Sequence, residues 1–100
     1  GNLLNIYIGD YNIMLRFKHG KDTQTVKILR HLKKYGNITS LDAFEYYRAT
    51  RLSAIIFRLR EEGFDIDTRR IHHKEASFGK YVLEDTQNNN QLFYDLRRLL

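Results

Sequence analysis

The residues best placed to do chemistry in this chain are arginines and histidines, and the chemistry they offer is the gripping of anions and base edges. Arg51, Arg58 and Arg60 fall within one short segment, beside the small residues Thr50, Ser53 and Ala54. A guanidinium can take O6 and N7 of a guanine together, or a phosphate, which positions a protein without reading sequence. His72 and His73 invite a metal reading, but adjacent residues on a strand point to opposite faces. With no cysteine in the chain and its acids scattered, no metal site is expected. No Ser-His-Asp set, phosphate-cradling glycine loop or pair of catalytic carboxylates is present, so neither a catalytic residue nor a cofactor is expected.

Charge points the same way. The formal net charge is +5. Seven basic residues (Arg16, Lys18, Lys21, Lys27, Arg30, Lys33 and Lys34) stand between positions 16 and 34 against the single acid Asp22, so the rest of the chain is close to neutral. Such a surface would approach phosphates, although a solvated helix face would carry the same pattern. One hundred residues, 42% of them apolar, suit one domain with a modest core. No apolar run approaches the roughly 18 residues of a membrane span, and the start lacks a signal-peptide pattern. A soluble cytoplasmic domain with no membrane partner is the expectation.

These side chains must be positioned by short elements. A first helix begins after Asp22 or Thr23, runs through Ile28, Leu29, Leu32 and Tyr35, and stops at Gly36. Asn37–Thr39 reads as an extended link with Ile38 turned inward. Thr39 or Ser40 caps a second helix with a stripe of Leu41, Phe44 and Tyr47 beside Ala43, and a tight turn follows at Arg48-Ala49. Thr50 caps a third helix that buries Leu52, Ile55, Ile56 and Leu59 and ends at Gly63. After Gly63 the period changes: residues 64–72 and 78–84 read as an antiparallel hairpin with a polar tip at 73–77.

A short helix, a tight turn and a second helix can present that second helix to the major groove of DNA. With Leu52 inward, Thr50, Ala54, Phe57 and Glu61 face out, flanked by Arg51 and Arg58 on one edge and by Ser53 and Arg60 on the other. Thr50, Arg51, Ser53 and Ala54 are the candidates for base edges. Lys33, Lys34, Arg58, Arg60, His73, Lys74 and Lys80 are the candidates for phosphates. Phe57 is expected first to cover the base of the hairpin, next to meet a protein partner, and last to meet a thymine methyl.

The stretches Ile38-Thr39-Ser40-Leu41-Asp42-Ala43-Phe44 and Thr50–Gly63, followed by Tyr81-Val82-Leu83, resemble the small winged helix-turn-helix domains of bacteriophages and prophages. The resemblance covers about residues 21–84. It implies an α+β fold of a three-helix core plus a β-hairpin wing, with the helix from Arg51 to Arg58 as the recognition helix and residues 72–80 as the wing. It also implies a duplex-DNA partner in a bacterial cytoplasm. One departure stands out: the turn between the second and third helices usually carries glycine, and here it carries Arg48. A left-handed Arg48 would cost roughly 1 kcal/mol. The other option is a turn one residue longer or differently shaped.

Both ends lie outside the resemblance. Residues 1–20 read as an N-terminal extension with a hairpin, residues 3–8 against 12–17 around Gly9-Asp10. Gly1, with no Met before it, has the look of a tag remnant, which leaves residues 1–13 open to a vector or upstream origin. Residues 85–91 read as a polar linker, and Asn90 as the cap of a short final helix. Its Leu92, Phe93, Leu96, Leu99 and Leu100 are expected to meet a second copy in a two-fold dimer, the alternative being packing on the chain's own first helix. Three roles fit: a DNA-binding regulator or accessory factor for excision or replication, a module that binds or inhibits a host protein, or an RNA-binding winged helix.

Overall fold

The computed structural model describes residues 23–98 and 100. The expected N-terminal hairpin and Leu99 lie outside the described residues. Four helices and a three-stranded sheet follow in the order α1 (Thr23–Tyr35), β1 (Asn37–Thr39), α2 (Ser40–Tyr47), α3 (Leu52–Glu61), β2 (Ile66–His73), β3 (Ala76–Leu83) and α4 (Gln87–Asp95). This is the expected three-helix core with a hairpin wing. The link after α1 is itself a strand: β1 pairs antiparallel with β3, and β3 with β2.

Gly36 makes the corner between α1 and β1. At φ +81° it adopts the left-handed conformation that ends helices, and its N–H donates to the Leu32 carbonyl. Its own carbonyl accepts from Leu83 N–H, which ties the corner to β3. Ile28, Leu29 and Leu32 of α1, Ile38 of β1, and Leu52, Ile56 and Leu59 of α3 then meet in one core at 3% exposure or less. This packing bears out the apolar spacing of both helices, with Ile55 partly buried against the core, except at Tyr35, which is 58% exposed.

The second helix departs from expectation. Thr39 does cap it, in a reciprocal box: Thr39 Oγ1 accepts from Asp42 N–H, and Asp42 Oδ2 accepts from Thr39 N–H, each at 3.1 Å. Yet α2 buries Ala43 fully, and of the expected stripe of Leu41, Phe44 and Tyr47 only Tyr47 packs against the core, and that in part. Leu41 is 64% and Phe44 46% exposed. A small residue at the contact lets the helix lie close to the core, and Leu41 and Phe44 are left facing outward. The turn that follows keeps its length. Arg48 is left-handed at φ 55°, its N–H bonds the Phe44 carbonyl, and Ala49 N–H reaches back to the Ala43 carbonyl.

The C-terminal segment also departs. The expected linker is helical: Thr86, not Asn90, caps α4, accepting from Asn89 N–H at 3.1 Å. Phe93 and Leu96 are buried in the same core, Leu92 and Leu100 pack against it, and the Phe93 ring stands 5.2 Å from that of Phe64. Of the expected dimer contacts, Phe93 and Leu96 are therefore buried in their own chain, and Leu92 and Leu100 are partly covered by it, because α4 folds back over α1 and the root of the wing.

Asn89 holds that fold-back in place. It is 1% exposed, its Oδ1 accepts from Asp65 N–H, and its Nδ2 donates to the carbonyls of Asp65 and Glu84. Asn89→Ala leaves Asp65 N–H without its partner and takes one of two bonds from each of the Asp65 and Glu84 carbonyls, so a loss of about 1–3 kcal/mol is expected in urea unfolding. A substitution costing less than 0.5 kcal/mol would show that water replaces the amide.

Candidate nucleic-acid interface

The burial of Leu52, Ile56 and Leu59 fixes which side of α3 looks outward. Thr50, Arg51, Ser53, Ala54 and Phe57 are all exposed, as the spacing predicts. Thr50, however, does not cap the helix. Arg51 occupies the N-cap at φ −122°, ψ 50°, with no side-chain cap bond, and the first backbone bond inside the turn is Ile55 N–H to the Arg51 carbonyl at 3.2 Å. The N-terminal end of α3 thus offers backbone N–H groups next to a guanidinium, an arrangement suited to anionic or acceptor-rich partners. Phe57 is 64% exposed, so the wing does not cover it as expected.

At the other end of α3, Arg60 turns back onto the protein. Arg58 is half-buried and engaged within the chain. Arg60 spans the gap to the wing: Nε and an Nη each donate to the Ile66 carbonyl at 2.9 and 2.7 Å, and the same Nη reaches Thr68 Oγ1 at 2.8 Å. Its guanidinium also lies 5.9 Å from the Tyr81 ring centre. Arg60, expected at a phosphate, is a strut between reading helix and wing.

This strut also identifies the faces of the wing. Thr68 pairs directly with Tyr81, and directly paired residues share a face. By alternation Arg70 and His72 lie on the face that Arg60 touches, while Arg69, His73 and Lys80 lie on the opposite one. Of the expected phosphate residues on the strands, His73 and Lys80 are therefore on the outer face. Arg70, absent from the sequence-based set, is on the inner face and exposed. The alternation Ile66, Thr68, Arg70, His72 was the signal that could have found it. Lys74 sits at the tip with φ 56°. Lys33 lies over the Phe93 ring at 5.8 Å and Lys34 over Tyr35 at 5.2 Å, so both belong to the surface at the C-terminal end of α1.

Titratable groups converge at one further place. His31, Tyr35, Asn37, Asp42, Tyr46 and Tyr47 line a cleft of about 610 Å³ between α1 and α2. His31 is 7% exposed, with Nδ1 2.7 Å from the Tyr47 hydroxyl. Burial lowers its pKa, against the opposing pull of the Asp42 charge and a backbone hydrogen bond at Asn37. Burial likewise raises that of Tyr47. A neutral imidazole accepting from the Tyr47 hydroxyl satisfies both shifts, and the pair fastens α1 to α2. Among the described residues no group of three or more potential metal ligands occurs, and no helix is long and apolar enough to cross a membrane.

A family model described as a winged helix-turn-helix domain matches residues 23–86. No curated protein and no solved structure matches the chain.

Two outcomes are expected. Arg60→Ala should speed hydrogen exchange across β2 and β3 and cost about 1–2 kcal/mol, and Arg60→Lys should recover only part, because lysine stops one atom short of the Nη that meets Ile66 and Thr68 and lacks the Nε bond. Unchanged wing exchange in Arg60→Ala would remove the strut. For His31, the folded pKa lies below the ordinary 6.5, so the unfolded chain takes the proton first. Stability should be full above about pH 6.5 and fall as pH drops below it. His31→Gln should lose that one-proton component when unfolding is followed across this range.

Proposed function

The chain belongs to the winged helix-turn-helix domain family, and from that premise we propose that it binds duplex DNA, with α3 in the major groove and the wing on the flanking backbone. The observation that carries the reading is the outward face of α3. Its N-terminal half is small, exposed and headed by Arg51, and its C-terminal half is braced to the wing through Arg60. Small side chains let the helix approach base edges, and a bidentate guanidinium selects guanine. Arg70, His72 and Lys74 supply the wing side of the same approach. The role that fits is a transcriptional regulator or an accessory factor for excision or replication, of the kind found in phages and prophages and acting in a bacterial cytoplasm. No catalytic step belongs to it.

A second reading rests on a different surface. Leu41 at 64% and Phe78 at 42% exposure line one groove with Ile71, between the start of α2 and the outer face of the wing. Apolar side chains gathered there favour a module that docks on a host protein.

Selection from a pool of random duplexes, followed by sequencing of the retarded fraction, separates the two. Arg51→Ala should lose about 1–3 kcal/mol on the selected site and relax base choice at one position. Arg70→Ala should weaken every duplex alike. With about four phosphates neutralised, log affinity should fall against log salt with a slope of roughly −4. Absence of retardation at low salt would remove DNA as the ligand and promote the protein-docking reading.

A further inference from the structure

We infer, resting on the DNA-binding reading, that Phe57 and Ala54 read the C5 methyl group of thymine. The argument starts from what surrounds the ring. Leu52, Ile56 and Leu59 take the inward side of α3, so a residue at position 57 cannot share the core. The wing, which would be the natural cover, is held to the helix by Arg60 and leaves Phe57 64% exposed. A phenylalanine in that state keeps most of its apolar surface in water. It is the sixth residue of a ten-residue helix, hence at the middle of the element that enters the groove.

Ala54 stands one turn earlier on the same exposed face. The two α-carbons differ by about 4.5 Å along the helix axis, close to the base-pair rise of about 3.4 Å. Together they make an apolar strip following Arg51. The edges of the bases in the major groove carry donors and acceptors, with one apolar group among them, the thymine methyl. An apolar strip that displaces water from a polar base edge leaves that edge unsatisfied, whereas over a thymine methyl it covers carbon with carbon. The preferred site therefore places a guanine under Arg51 and thymine under the Ala54–Phe57 strip. This differs from ordinary wing packing, which would have buried the ring.

The test uses the full chain and duplexes selected from a random pool. Each thymine is replaced in turn by deoxyuridine, which removes the methyl and keeps the base pair. At one or two positions the parent should lose about 3- to 10-fold in affinity, the worth of covering one methyl group or slightly more. That ratio should be nearly independent of salt, unlike the affinity itself. Phe57→Ala should bind the thymine and deoxyuridine duplexes alike at the position under the ring and keep any preference under Ala54, and Phe57→Leu should keep part of the preference. Thermal unfolding verifies that both variants fold, and the exposure of the ring makes a large change unexpected. Equal binding of thymine and deoxyuridine duplexes by the parent, with duplex binding otherwise intact, overturns the methyl reading and leaves the DNA-binding reading standing. A thymine preference that survives Phe57→Ala undiminished at every position overturns the role of Phe57. Failure to bind any duplex takes down both readings together.

Discussion

A single buried amide fixes the geometry on which the rest of the molecule depends. Asn89 offers one acceptor and two donors, and all three are used on backbone groups at the root of the wing, on Asp65 and Glu84. A two-stranded hairpin has little stability of its own. Here its two ends are clasped by the same side chain, and β3 is further paired with β1. The amide itself is buried, so its bonds are partly shielded from water and count for more than fully exposed ones would. Around it Thr86 Oγ1 donates to Asp65 Oδ2, and Asn88 Nδ2 reaches the Gly63 carbonyl. The asparagine run is thus a device for attaching α4, and through α4 the wing, to the helical core.

From that clasp the wing passes beside α3, where Arg60 makes the second attachment. The two constraints act at different heights: Asn89 at the root, Arg60 at Ile66 and Thr68. A hairpin held at its root alone can still pivot, whereas a hairpin held there and again beside the reading helix keeps one orientation. Partly exposed bonds such as those of Arg60 are individually modest. Their effect is orientational, since a reading face built from two elements is useful only when the elements keep their relative placement.

Much of this was legible in the sequence. The periodicity of Ile28, Leu29 and Leu32, and of Leu52, Ile56 and Leu59, gave both long helices, and the switch to β-branched and aromatic residues after Gly63 gave the wing. What failed did so for identifiable reasons. Over eight residues, α2 offers one or two turns of pattern, and Leu41 and Phe44 looked as core-like as Tyr47 and Ala43, which pack. Asn88–Asn90 has poor helix propensity, so its helical state followed from tertiary hydrogen bonds that no local pattern reveals. Arg60 and Arg58 looked like their neighbours Arg51 and Arg70. Whether a guanidinium is spent inside the protein or left for a partner depends on which carbonyls lie within reach, and residues six positions away decided that for Arg60.

Among the described residues the backbone is left-handed without glycine at two places, and both carry cations. Arg48 and Lys74 both accept a conformation that costs a side chain about 1 kcal/mol. Glycine would relieve either turn and would remove its charge. At Arg48 part of the cost is offset within the protein, because the guanidinium lies 5.3 Å from the centre of the Phe44 ring, a contact worth roughly 0.5–1 kcal/mol at an exposed site. Lys74 stands in the two-residue turn that joins His73 to its partner Ala76, where a positive φ matches the twist of the flanking strands, so the closed hairpin offsets its cost. On the DNA-binding reading a cation at the tip of a held hairpin meets the phosphate backbone, and a glycine in the same turn would not.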